Sequence, residues 1–133
     1  MRGYQKLLVW KEAMAMARTM YILVRAFPKD EQSALGQELR HAALMVPYNI
    51  ARGHQRRRAG DLLRCVIAAL DSAAEIETLL ILSSELGYIS VPELKDAQTA
   101  LDEVVQNLEG MRAALSAKAN DPKRERRTGQ AEV

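Results

Sequence analysis

The chain predicts an all-α fold, an antiparallel up-down-up-down four-helix bundle, and three observations carry that prediction. Apolar residues make up 48% of the 133 residues but aromatics only 5%, which suits helices packed through aliphatic and alanine-rich faces. Four stretches repeat apolar residues at alternating steps of three and four, the spacing of one face of a helix. The connections between them are short, and short connections force neighbouring helices to run antiparallel. Each helix would hold roughly 23–28 residues, a length of about 35–42 Å at about 1.5 Å per residue. The bundle is assigned to residues 1–118, and residues 119–133 form a polar tail expected to be disordered.

The first stretch, about Tyr4 to Ala26, carries Leu7, Trp10, Met14, Ala17, Tyr21 and Val24 on one face. Leu8, Val9, Ile22 and Leu23 lie off that stripe, as does Leu44 in the second stretch. This surplus exceeds one four-helix core and is expected at subunit contacts. Phe27-Pro28 ends the first helix, because the residue before a proline is pushed out of helical geometry. The second helix is expected from near Asp30, in an acidic first turn that suits the helix dipole, with Leu35, Leu39, Ala42, Val46, Asn49 and Gly53 on its stripe. Ala59-Gly60 reads as the next break.

The third stripe is Leu62, Val66, Ala69, Ala73, Ile76 and Leu80, widened by Leu63, Ile67 and Leu70. Gly87 offers a left-handed C-terminal cap. The run Ile89-Ser90-Val91-Pro92-Glu93-Leu94 is a helix start: Ser90 caps, Glu93 closes the capping box, Ile89 staples onto Leu94, and Pro92 falls where its missing N–H costs little. The fourth stripe is Leu94, Ala97, Leu101, Val104, Leu108, Met111 and Leu115.

The second helix holds the anomaly. Pro47 cannot donate to the carbonyl of Ala43, so a kink or a loosened turn is expected there. Asn49 lies on the core stripe, where its amide needs partners, and the freed carbonyls around Ala43 and Leu44, or a backbone on a neighbouring helix, are the expected ones. Gly53 leaves room for another backbone. Pro47, Asn49 and Gly53 are therefore candidates for a structural kink or a subunit contact. The plainer reading is a kinked core helix with a satisfied polar residue.

Leu8-x-Trp10-x-x-Ala13, Phe27-Pro28, Gln37-x-x-Arg40, Pro47-x-Asn49-Ile50-Ala51-x-Gly53 and Leu86-Gly87-Tyr88 stand in this order along the chain. With these motifs the chain resembles the four-helix-bundle proteins associated with intervening sequences in bacterial 23S ribosomal RNA genes, over residues 4–116. The resemblance implies a small cytosolic bundle that assembles into a homo-oligomeric ring, commonly a pentamer. It also implies nucleic-acid binding, and related accessory proteins of retroelements work with a reverse transcriptase. This sequence departs from the family pattern at Arg52, where Glu is usual, at Met45, where Ser is common, and at His54, where an aromatic or glycine is common. Arg52 removes or reverses whatever contact the usual Glu makes.

The net charge of +2 does not by itself imply a nucleic-acid partner, but its distribution is uneven. Arg52, Arg56, Arg57, Arg58 and Arg64 face one acid, Asp61, around the corner between the second and third helices. The tail adds Lys123, Arg124, Arg126 and Arg127 against Asp121, Glu125 and Glu132. Arg56 to Arg58 are expected to fan around the helix end, where the dipole favours cations. Guanidinium forks also match phosphate oxygens, so the five arginines are candidate nucleic-acid-binding residues. A charge run of this kind is also what a solvated helix end looks like. With no RNP-type aromatic platform beside it, the patch would read backbone and shape, not base sequence.

Convergent catalytic or metal-ligating groups are not evident. His41 and His54 lack a Glu-x-x-His partner, so a di-metal carboxylate site is not expected. Asp71, Glu75 and Glu77 read as a solvated face or as ion-pair partners of arginines. There is no phosphate-binding glycine loop and no nucleophile elbow. Cys65, alone in the chain, excludes an internal disulfide, fits a reducing compartment and reads as a small core residue, although Arg64 beside it could activate the thiol. No secretory or membrane-spanning run is present. The sequence therefore predicts a cytoplasmic, non-enzymatic homo-oligomer with no cofactor and no membrane partner, binding RNA or DNA through the arginine corner. The competing class is a protein-interaction or scaffold module with an acidic partner.

Overall fold

The computed structural model describes residues 1–120, all helix and connection with no strand among them. The predicted tail and its basic residues fall almost wholly outside the described residues. The last helix runs on to Ala119, one residue past the expected boundary.

An N-terminal 3₁₀ turn, Gly3–Lys6, leads into α1 (Leu8–Arg25). A one-turn α2 (Lys29–Gln32) precedes α3 (Leu35–Arg56), and then follow α4 (Ala59–Glu85) and α5 (Val91–Ala119). Among the long helices, α1 packs on α3 and α5, and α4 packs on α3 and α5, so the four enclose a common core. Met16, Met20, Leu39, Ile50, Ile76, Leu80, Leu101 and Leu108 fill its centre.

Four expectations are corrected. The first helix does not run from Tyr4. A break at Leu7, in extended conformation, separates the 3₁₀ turn from α1. Its buried face agrees only in part with the expected stripe: Ala17 and Val24 are buried as expected, but so are Val9, Ala13, Met16, Met20 and Leu23, while Trp10 is half-buried and Tyr21 is exposed. Both faces satisfy the three-four spacing, so spacing alone does not choose between them. Of the predicted apolar surplus, Val9 and Leu23 are therefore core, while Leu8, Ile22 and Leu44 are exposed at 66%, 60% and 44%.

The second long helix starts at Leu35, not near Asp30. The acidic turn makes its own helix, α2, and Ser33-Ala34 separates the two. The Gln32 side-chain amide donates to the carbonyls of Arg25 and Phe27, tying α2 back to the end of α1. The third break comes at Arg57-Arg58, not at Ala59-Gly60, which lie inside the first turn of α4.

The fourth start is as expected. The Ser90 hydroxyl accepts from the Glu93 N–H and the Glu93 carboxylate accepts from the Ser90 N–H, with Ile89 buried and Leu94 packed on the core. Gly87 adopts φ +77°, the left-handed region where glycine avoids the penalty other residues meet. Among the described residues no helix is long and apolar enough to cross a membrane.

Candidate nucleic-acid interface

α3 carries Pro47, Asn49, Arg52 and Gly53; Arg56, Arg57 and Arg58 form its junction with α4, and Arg64 lies in α4. α3 runs unbroken past Pro47, which is buried, so the missing N–H does not end the helix. Asn49 is 6% exposed, and its amide donates to the carbonyl of Met45 at 2.7 Å. The partner is thus the carbonyl of Met45, one turn back and next to Leu44 on the same helix, and not a backbone on a neighbouring helix. The Asn49 side-chain oxygen accepts from the Arg52 guanidinium at 3.2 Å, so both ends of the buried amide are satisfied.

Gly53 explains how α3 reaches α4. A Cβ at this position would stand 2.7 Å from the Cβ of Cys65 and 3.3 Å from the Cα of Leu62. The glycine therefore serves a contact within one chain. Cys65, a buried free thiol, sits on the opposite side of that seam.

The five arginines separate into two groups. Arg52 is held. Beyond Asn49, its guanidinium lies 5.6 Å from the Tyr48 ring centre, a cation–π distance. Its charged form is favoured beyond that of an ordinary arginine, first by the neighbouring Cys65 side chain and then by Tyr48. Arg64 pairs with Asp61, the acid of the first turn of α4. The one acid at this corner is thereby engaged with Arg64.

Arg56, Arg57 and Arg58 are exposed, with no hydrogen bond or ion pair from their side chains among the described residues. They do not fan around one helical turn as expected. Arg56 is the last residue of α3, Arg57 its C-cap, and Arg58 the extended N-cap of α4. Arg57 carries φ +63°, the left-handed conformation that glycine normally supplies at a helix end. It is the only non-glycine residue with positive φ among those described. Holding an L-residue there costs on the order of 1 kcal/mol. The sequence misled because Gly60 looked like the breaker, whereas an arginine takes the strained position.

Among the described residues, no three of His, Cys, Asp and Glu converge as metal ligands would. Asp71 and Glu75 line a shallow groove with Glu38 between α3 and α4 and make no ion pair among the described residues, so they are not the arginine partners that the spacing allowed.

The sequence missed the N-terminal turn. Gly3 lies against the His54 imidazole, where an added Cβ would stand 2.9 Å from Cε1. This sets Arg2 and Lys6, both exposed and on the same short turn, at the same end of the molecule as the arginine corner. No local pattern could have signalled this, because the contact joins residues far apart in the chain.

A family model described as 23S rRNA-intervening sequence protein matches residues 5–110. Among solved structures, the chain is similar to a protein of unknown function from the S23 ribosomal protein family of Bacteroides thetaiotaomicron. That match has a TM-score of 0.73 at 20% identity and covers 79% of this chain and 98% of the other, a likeness of fold. No curated protein gives a significant match.

Proposed function

We propose, for a chain that belongs to the 23S rRNA-intervening sequence protein family, that it is a non-enzymatic helical bundle binding the phosphate backbone of RNA or DNA through Arg56, Arg57 and Arg58. On this reading the long helices run up-down-up-down and the protein works as a homo-oligomeric ring in the cytoplasm, where its free Cys65 stays reduced. The exposed Leu8, Ile22 and Leu44 are available for subunit contacts. A ring repeats the arginine corner once per subunit, so modest single contacts sum to firm binding.

The observation that carries the reading is Arg57 in the left-handed conformation. A glycine would close the same corner without strain, and a strained, exposed arginine between two others serves charge presentation better than it serves folding. Arg52 and Arg64 take a different role, since their guanidinium groups are already engaged within the chain. They shape the corner, while the three free arginines make the contacts.

A salt titration tests this. Binding to a structured RNA and to a matched duplex DNA is followed for the wild type and for Arg56→Glu/Arg57→Glu/Arg58→Glu, with the oligomer mass checked on the same samples. The log–log slope should fall by about 0.7–0.9 for each phosphate contact removed. An intact variant that binds with wild-type affinity and slope would end the proposal.

A further inference from the structure

The N-terminal turn has no buried residue, yet it closes onto α3. It is pinned on two sides. The Tyr4 ring meets Trp10 of α1 edge-on, with centroids 5.5 Å apart, and Gly3 rests on His54 of α3. The Arg2 N–H donates to the Gln5 side-chain oxygen at 2.9 Å, and the Gln5 N–H returns to the Arg2 carbonyl, so the turn is closed by its own hydrogen bonds. What it adds to this end of the molecule is two exposed cations, Arg2 and Lys6, with no acid in the chain before Glu12. Glu12 itself accepts a hydrogen bond from Asn107 of α5.

We propose that this turn is the second half of the anion-binding surface: Arg2 and Lys6, carried to the arginine corner by the packing of Gly3 on His54, contact the same nucleic-acid backbone as Arg56, Arg57 and Arg58. The inference rests on the reading given under Proposed function and extends it to a second chain segment. Arg2 is one residue from Gly3, and Arg56 is two residues from His54. In α3 two residues rise only about 3 Å along the axis, so the turn and the arginines sit at the same end of the molecule. A backbone crossing from one group to the other meets cations at both ends, and the corner's acid, Asp61, is already held by Arg64. His54 gains a role from this arrangement: it is the platform on which the turn sits.

The test separates local contact from net charge. Arg2→Gln/Lys6→Gln removes two charges at the proposed surface. Lys29→Gln/Lys95→Gln removes two at the opposite end, where the contact of Phe27 with Tyr88 joins the α1–α2 and α4–α5 connections. Both pairs are exposed, so folding is not at risk. With the full-length protein, a hairpin RNA and a matched duplex DNA, the first pair should weaken binding at least about fivefold. It should also lower the salt slope by about 1.4–1.8, two phosphates' worth. The second pair should change affinity by less than about twofold, since charges beyond a Debye length of about 10 Å are screened. Equal losses from the two pairs, or no loss from the first, overturn the inference. If Arg56→Glu/Arg57→Glu/Arg58→Glu abolishes binding while Arg2→Gln/Lys6→Gln leaves it intact, the second segment falls and the arginine corner stands. If the wild type does not bind either probe, both fall together.

Discussion

The two ends of the bundle solve the same problem, closing helix termini, in opposite ways. At the Phe27–Tyr88 end several polar groups close the connections by bonding to neighbours. Gln32 covers two carbonyls, the Arg40 guanidinium donates to Gln32 and Gln37, and the Tyr88 N–H reaches the Ser83 carbonyl. Gly87 takes the left-handed turn and Ser90 with Glu93 caps the next helix. At the arginine end, two residues make the whole connection, the left-handed position falls to Arg57, and Arg58 supplies no side-chain cap. One end is organised for stability. The other accepts strain and leaves three cations in solvent. The difference supports the proposed site at the second end better than charge alone could, because charge runs also occur at ordinary solvated helix ends.

Substitutions should expose this asymmetry. The largest stability loss is expected where the arginine end is anchored. Gly53→Val puts atoms into the seam against Cys65 and Leu62 and should cost about 3 kcal/mol in urea unfolding. Ser90→Ala, at the well-capped end, removes one arm of the capping box and should cost about 1 kcal/mol by the same measurement. Arg57→Gly should act in the other direction. It relieves the left-handed strain and should stabilise by about 0.5–1 kcal/mol while weakening RNA or DNA binding. A variant both less stable and equally able to bind would erase the contrast between the ends.

The smallest effect concerns pH, and it too divides the ends. The Glu93 carboxyl is held below the ordinary carboxylate range, first by its hydrogen bond from the Ser90 backbone. A depressed folded value means its stabilisation is present above the unfolded value and is lost as pH falls through the folded one. The Tyr88 phenol is pushed up, first by burial and then by the nearby charges of Glu31 and Asp30. A raised folded value means its contribution is present below the unfolded value and is lost as pH rises through the folded one. Thermal melts across pH should therefore soften on both the acid and the alkaline side through residues of one end. Glu93→Gln should flatten the acid limb and Tyr88→Phe the alkaline limb.

The parts of this architecture legible in the sequence were those fixed by local chemistry. Ser90 and Glu93 declare a capping box by their spacing, and the stripes of α4 and α5 predict the buried Val66, Ala69, Ile76, Leu80, Leu101 and Leu108. α1 was harder because its apolar residues cover more than one face, and the choice of Met16 and Met20 over Trp10 and Tyr21 is made by the other helices. The arginine corner was legible as charge but not as geometry. A glycine three residues on drew the break to itself, whereas tertiary packing placed it at Arg57. The division of the arginines into held and free depended on Asn49, Tyr48, Cys65 and Asp61 arriving together, and the N-terminal turn on a contact between Gly3 and His54 that no window of sequence contains.

The Gly53 seam has a kinetic corollary. Cys65, the one cysteine of the chain, lies buried behind it. With Cys65 5% exposed, a thiol reagent reaches that sulfur freely when α3 lifts from α4, so the labelling rate, measured against that of the unfolded chain, tracks opening of the seam. The protein thus carries its own reporter of breathing at the arginine end, readable with a single-site chemical modification and no engineered probe.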